Sequence, residues 1–436
     1  MKSIGVGLVG FGTIGTGVVK LLRDHATLIR DRAEVGLILR RVADIDLGRD
    51  RGIPMEMGFL IADYRKLLEE EGIDIVIELI GGTTVAREVV LAAIERGRHV
   101  VTANKALLAT HGKEIFDAAE KRGVEIRFEG SVGGGIPIIR AIQEGFAADR
   151  IESVHGIVNG TSNYILSKMT AEGQPFDEVL KKAQAKGLAE ADPTYDIDGT
   201  DAAHKLAILC ALAFGYYVDL DHIHREGIDK IAPIDIDFAR EFGLRIKLLA
   251  IAREHDGVIE ARVHPTMISA EHLLATVDGA FNAIYVHGEA VGSSMLYGVG
   301  AGMMPTATAV VSDVMDIARG ILRNAPRRGT ALSVHNRFLD SAHFRPMDDI
   351  ENHFYLRFTV LDRPGVLSRI AGALGERGIS IESVIQKGRE HMKSVPIVIV
   401  THAAPEKNLR AALAEIDALD VVKAPTRMIR IEPDLH

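Results

Sequence analysis

Residues 3–22, SIGVGLVGFGTIGTGVVKLL, decide the fold. A short apolar run leads into Gly10-Phe11-Gly12-Thr13-Ile14-Gly15, and a helical pattern follows. This is G-x-G-x-x-G with a strand before it and a helix after it, the context that a dinucleotide-binding turn requires. Gly10 permits the tight turn, Gly12 lets the backbone approach a pyrophosphate, and Gly15 allows the helix to pack closely on the strand. The helix start at Thr13 and Ile14 presents backbone N–H groups to the anion. The motif alone is also an ordinary glycine-rich turn; the flanking strand and helix favour the dinucleotide.

Outward from this stretch, strands and helices alternate. Val35–Asp44 reads as a second strand, with Asp44 at its end placed to accept from the adenosine ribose hydroxyls of NAD. Arg40 and Arg41 precede it and are an alternative set for a 2′-phosphate. The span from Gly15 to Asp44 exceeds the usual ~20 residues and implies an extended first crossover helix. Further strands at Ile73–Gly82 and Arg98–Lys105 complete a parallel, doubly wound pattern. Ligands bind beyond the carboxyl ends of such strands, where Gly81, Gly82, Thr83, Thr102, Ala103, Asn104 and Lys105 stand. Lys105 is either a helix-start lysine or one turned into the cleft.

A second stretch carries chemistry. Glu190–Lys205, EADPTYDIDGTDAAHK, holds the carboxylates Glu190, Asp192, Asp196, Asp198 and Asp201. Pro193 and Gly199 make its first half a loop, and a helix runs from Thr200 to a stop at Gly215. Asp201 and Lys205 lie four apart on one helix face. That face continues through Ile208, Leu209 and Leu212, toward protein rather than water. A D-x-x-x-K pair is commonly a solvated ion pair; the apolar face and the acidic loop favour a site.

Between the two stretches, Val124–Phe128 reads as a strand, and Gly133-Gly134-Gly135 before Pro137 leaves backbone bare for a ligand or ion, or as a hinge. The run from Ile151 to Gly160 is a strand feeding a helix capped by Thr161 or Ser162. Asn159–Asn163 is then a cap or a substrate rim. Beyond Gly215, Lys247–Gly257 suggests a helix, and Glu260–Ile268 and Ala283–Gly292 suggest strands. Tyr297–Gly302 is a glycine-rich turn before another helix. Residues 324–352 read as a linker. The remainder reads β-α-β-β-α-β, the ferredoxin-like arrangement, with the turn Asp362–Leu367 offering N–H groups at a helix start.

The length of 436 residues implies two or three domains. The boundaries read as 1–135, a dinucleotide-binding domain; 136–322, an α+β catalytic and dimerisation domain; 323–353, a linker; and 354–431. The net charge of −9 argues against nucleic acid. Cys210 is the only cysteine, so no internal disulfide forms and a reducing compartment is expected. No apolar run is long enough to span a membrane, and no signal-peptide pattern opens the chain. A cytoplasmic protein is expected.

Taken together, GFGTIG, ELIGG, VTANK, FEGSVGGGIPII, GIVNGTSNYIL, KGLAEADPTYDIDGTDAAHKLAIL, RVHPT and GVGAGMMPTATAV resemble the homoserine dehydrogenases almost end to end. DRPGVLSRIAGALGERGISIES resembles the opening of an ACT domain, a regulatory amino-acid-binding module. The resemblance implies reversible hydride transfer between L-aspartate 4-semialdehyde and L-homoserine with NAD or NADP. It implies Lys105 and Lys205 near the reacting oxygen, with Lys205 as proton donor. Glu190 and Asp201 would hold substrate, Asp196 would support them, and Gly187 would lie close to substrate and nicotinamide. Thr102, Ala103 and Gly302 would line the cofactor. A sodium ion would bind around Glu129, Val132, Gly134 and Ile136. The resemblance further implies a homo-oligomer, at least a dimer, and L-threonine as an effector at the ACT domain. Two positions depart from the family pattern. Ile45 stands where many members carry arginine, which with Asp44 weighs toward NAD, and Val299 interrupts a GRGAG.

The residue types fit that chemistry independently. Reducing an aldehyde makes an alkoxide, which a desolvated lysine can protonate or neutralise. The ammonium of an amino-acid substrate suits carboxylates. Aspartate-semialdehyde dehydrogenase would need a nucleophilic cysteine, and Cys210 sits in a helix. A non-catalytic amino-acid sensor would have no use for Glu190, Asp201, Lys105 and Lys205 together.

Overall fold

The computed structural model describes residues 3–324, 332, 343–386 and 394–435. Strands β1 (Ser3–Val9), β2 (Gly36–Ala43), β3 (Leu60–Ile61), β4 (Ile75–Glu78), β5 (His99–Thr102) and β6 (Ile126–Arg127) form a sheet in the order β3-β2-β1-β4-β5-β6. Every pairing in it is parallel. Val6, Leu8, Ile75, Val76, Ile77, Val100 and Val101 are fully buried, as a sheet covered on both faces requires. The order reverses between β1 and β4, which opens a crevice beyond their carboxyl ends. The long first crossover is two helices rather than one, Thr13–Asp24 and Ala26–Ala33, broken at His25.

A second sheet runs through β7 (Ile151–Ile157), β8 (His224–Arg225), β9 (Leu244–His255), β10 (Val258–Ser269), β11 (Phe281–Gly288) and β12 (Gly292–Val299), its main path being β12-β11-β7-β9-β10. The stretch from Lys247, expected as a helix, is therefore the central strand β9. Its run KLLAIA is buried on both faces, and such a run has no period that separates strand from helix.

The C-terminal module contains β13 (His343–Phe344), β14 (Glu351–Val360), β15 (Ile381–Gln386), β16 (Val395–Thr401), β17 (Ala404–Pro405) and β18 (Val422–Glu432), with helices Val366–Glu376 and Glu406–Asp417. Its order, β18-β14-β16-β15, is ferredoxin-like as expected. The module is not a separate bead. Thr266–Ile268 of β10 pairs in parallel with Arg430–Glu432 of β18, so one sheet continues from the catalytic region into the module. Of the expected linker, only its ends and the buried Leu332 fall within the described residues.

The helix Met303–Arg323 returns to the first sheet. A Cβ on Gly17 would stand 2.9 Å from that of Ala307, so the two helices touch backbone to backbone. Ala307, Val310, Val311 and Val314 share a core with Val6, Leu8 and Val18.

Candidate active site

The glycine turn has the geometry its spacing implies. Gly10 has φ +102°, which only glycine adopts readily, and a Cβ on Gly15 would meet the Gly10 carbonyl oxygen at 2.1 Å. Apart from its own chain neighbours, nothing lies within 4 Å of where a Cβ on Gly12 would sit, so the backbone there is open to a ligand. The residues present therefore fit a dinucleotide pyrophosphate at the N-terminus of the helix Thr13–Asp24.

Two strand ends beside it are locked together by a residue that sequence reasoning did not single out. Glu78, fully buried at the end of β4, accepts from Thr102 Oγ1 at 2.6 Å and from the Ile80 N–H at 2.9 Å. Burial pushes its carboxyl up despite these donors. Asn104 caps the helix Lys105–Arg122 through the Leu107 N–H and donates to the Gly82 carbonyl at 2.7 Å. Glu78, Thr102 and Asn104 thus fix the angle at which Lys105 leaves its strand. Thr83 begins the next helix and Ala103 borders the cleft.

That cleft, about 460 Å³, joins the glycine turn to the acidic stretch. Its walls include Ile14, Gly81, Gly82, Ala103, Lys105, Glu190, Asp192, Tyr195, Asp196, Asp201 and His204. Asp201 is the centre. Its Oδ1 lies 2.9 Å from Lys105 Nζ and its Oδ2 2.7 Å from Lys205 Nζ. Burial opposes the Asp201 charge, but the two lysines hold its carboxyl far below the usual range. Asn159 binds both acids, donating to Asp196 Oδ1 at 2.7 Å and Asp201 Oδ2 at 2.9 Å, while its own Oδ1 accepts the Ser162 N–H. Asn159, not Thr161 or Ser162, caps the helix Gly160–Glu172, and it is buried rather than among the cleft walls.

The lysines differ. Lys205 also donates to the Val158 carbonyl at 2.6 Å and does not line the cleft. Burial lowers its pKa, with Asp201 offsetting part of the effect. For Lys105, burial is outweighed by Asp201, Asp196 and Glu190, and the pKa is raised. Lys105 is 39% exposed and lines the cleft.

Other expected residues lie elsewhere. Gly187, with φ +69°, turns the chain after the helix Phe176–Ala185 and is not among the cleft walls. Gly302 precedes the helix Met303–Arg323, away from the cleft walls but on the side of the glycine-turn helix. Arg41 pairs with Glu70 and the Gly58 carbonyl, and Arg40 flanks Gly5 and Gly72 in mid-strand. Neither arginine reaches the carboxyl end of β2, so the alternative of a 2′-phosphate on these two is set aside. Arg51, not singled out from sequence, stands at Asp44 instead, 3.3 Å away. In the glycine-rich turn before Pro137, Glu129 spends its carboxylate on the Ile139 and Arg140 N–H groups, each at 2.9 Å. Cys210 is fully buried with its thiol pushed up to about 12, which removes it as a nucleophile.

A doubly wound sheet whose switch-point cleft closes on paired lysines and acids defines a dinucleotide-dependent oxidoreductase. Family models described as "Homoserine dehydrogenase, NAD binding domain", "Homoserine dehydrogenase" and "ACT domain" match residues 10–129, 137–315 and 354–421. The homoserine dehydrogenase of Neisseria gonorrhoeae is 47% identical over 436 residues, covering 100% of each chain, and that of Pseudomonas aeruginosa is 45% identical, covering 99% of each. The crystal structure of a homoserine dehydrogenase from Thiobacillus denitrificans superposes with a TM-score of 0.93 at 46% identity, covering 99% of each chain. The chain belongs to the homoserine dehydrogenase family.

Proposed function

We propose that this protein interconverts L-aspartate 4-semialdehyde and L-homoserine, with Lys105 as the proton donor to the aldehyde oxygen. The observation that carries the reading is the double clamp on Asp201 at the edge of a cleft that reaches the dinucleotide turn. When bound, NADH or NADPH supplies the hydride that reduces the aldehyde carbon. Lys105, kept protonated by three acids, gives its proton to the oxygen as the alkoxide charge develops. Lys205 is held by Asp201 and Val158, and it fixes Asp201 and adds positive field behind it. This reverses the roles expected from sequence, because Lys205 lies behind Asp201 and Lys105 in front. Glu190 and Asp196 are the acids placed to take the substrate ammonium. The test is homoserine-dependent formation of NADH or NADPH by the purified protein; no activity with either would sink the reading.

We propose three further assignments. A monovalent cation would be held at the turn Glu129–Ile136 by main-chain carbonyls, hard neutral donors, in a loop bent by Gly133 (φ +71°) and Gly134 (φ +53°). Raising the melting temperature with sodium over choline would support it. A second copy of this chain fits the open edge at β12, where exposed Tyr297 stacks on exposed Phe281 at 5.1 Å and Val299 is exposed beside them. Light scattering at the monomer mass would count against that. L-threonine at the C-terminal module fits the turn at Gly365, φ +86°, and the helix start after it. Calorimetry on the full chain with no threonine heat would remove it.

A further inference from the structure

Asp44 is not a lone acid. A lone carboxylate at the end of β2 accepts ribose hydroxyls from NAD and repels the 2′-phosphate of NADP. Here Asp44 Oδ2 accepts the Phe11 N–H at 2.6 Å, and Oδ1 lies 3.3 Å from Arg51 Nη2. The Arg51 guanidinium is fixed in place. Its Nε donates to the Phe11 carbonyl at 2.6 Å, Nη1 to the Arg49 carbonyl at 2.8 Å and Nη2 to the Asp46 carbonyl at 2.6 Å. It also lies 4.8 Å over the Phe11 ring, and its side chain is only 4% exposed. Phe11 belongs to the glycine turn itself, so Arg51, Asp44 and the pyrophosphate loop are one hydrogen-bonded unit.

We propose that Arg51 is a specificity-determining residue that neutralises Asp44 and so admits the 2′-phosphate of NADP(H) beside the ribose of NAD(H). The proposal rests on the reading of this cleft as a dinucleotide site. It assigns to Arg51 the charge that Arg40 and Arg41 cannot deliver and that Ile45, 92% exposed, lacks. It also shifts the weight that Asp44 and Ile45 alone place on NAD toward use of both cofactors.

The experiment compares full-length wild type with Arg51→Leu, Arg51→Lys and the double variant Arg51→Leu/Asp44→Asn. Each is titrated with NADPH and with NADH, following dihydronicotinamide fluorescence, and each is assayed with both cofactors. Binding reports on the adenosine end even if turnover with homoserine is absent, so failure of the proposed reaction and failure of this inference are separable. Expected is a fall of ~10-fold or more in NADPH over NADH preference for Arg51→Leu, the scale of one unscreened like-charge contact. Arg51→Lys should retain most of the wild-type ratio, and Asp44→Asn should return it in the leucine background. Equal loss for both cofactors with Arg51→Leu, or no recovery in the double variant, would overturn the proposal and leave Arg51 a loop anchor.

Discussion

Lys105 and Lys205 hold the two oxygens of one carboxylate, yet their surroundings push them in opposite directions. Lys205 comes from inside a helix packed on all sides, is only 10% exposed, and spends its protons on Asp201 and Val158. Lys105 opens the helix that follows β5, stands in the cleft, and faces three acids. Burial disfavours charge on both; it prevails at Lys205, which is the more deeply buried and also feels Lys105, and is outweighed by the acids at Lys105. The same residue type thereby has its charge disfavoured in one place and favoured in the other.

The strongest way to break this comparison is to remove what the two share. Asp201→Asn leaves the buried Lys205 and the cleft-exposed Lys105 without their shared counter-charge and should cost about 2–4 kcal/mol of stability, the range for unpairing a buried charge reduced for the solvent that reaches Lys105. Activity should fall by ~10³-fold or more, read by denaturant unfolding and steady-state kinetics. The wild-type contribution of Asp201 is fully present above its unfolded pKa of about 3.9 and is lost as pH falls toward its lower native value. Next, Lys105→Met should lower kcat by ~10²- to 10⁴-fold while thermal unfolding changes little. Lys205→Met should lower kcat less, by roughly tenfold, and cost ~1–3 kcal/mol because the Val158 carbonyl loses its donor. If Lys205→Met proves the more damaging to kcat, the two roles must be exchanged. The smallest effect concerns pH. Oxidation of homoserine needs Lys105 neutral, so its rate should keep climbing with pH past the ordinary lysine value of about 10.4. Asp196→Asn removes one of the acids that raise that pKa, so the climb should begin at lower pH. An unmoved profile would mean that Lys105 is not the titrating group.

What could be read from the sequence was local. Gly10 and Gly15 announce themselves because a positive φ and a backbone contact exclude other residues, and Asp201 with Lys205 is plain helix spacing. Lys105 on Asp201 joins distant segments, and only the resemblance suggested their meeting. Arg51 was invisible because its partners are carbonyls of a loop with no periodic signal. Asn159 could be read as a cap but not as the residue that also ties Asp196 to Asp201. β9 was misread because full burial erases the alternation that marks a strand.

The pairing of β10 with β18 has a consequence for how this chain can be cut. Arg262, with no exposed surface, is matched by Glu260 at 2.9 Å and by Glu432 of the C-terminal strand. Removing the last strand would uncover a row of unpaired main-chain groups and strand that guanidinium with half its counter-charge. The C-terminal module is therefore a splint as well as an appendage. Excising it is an operation on the catalytic sheet, and a truncated chain would carry a sticky edge where the intact one carries a seam.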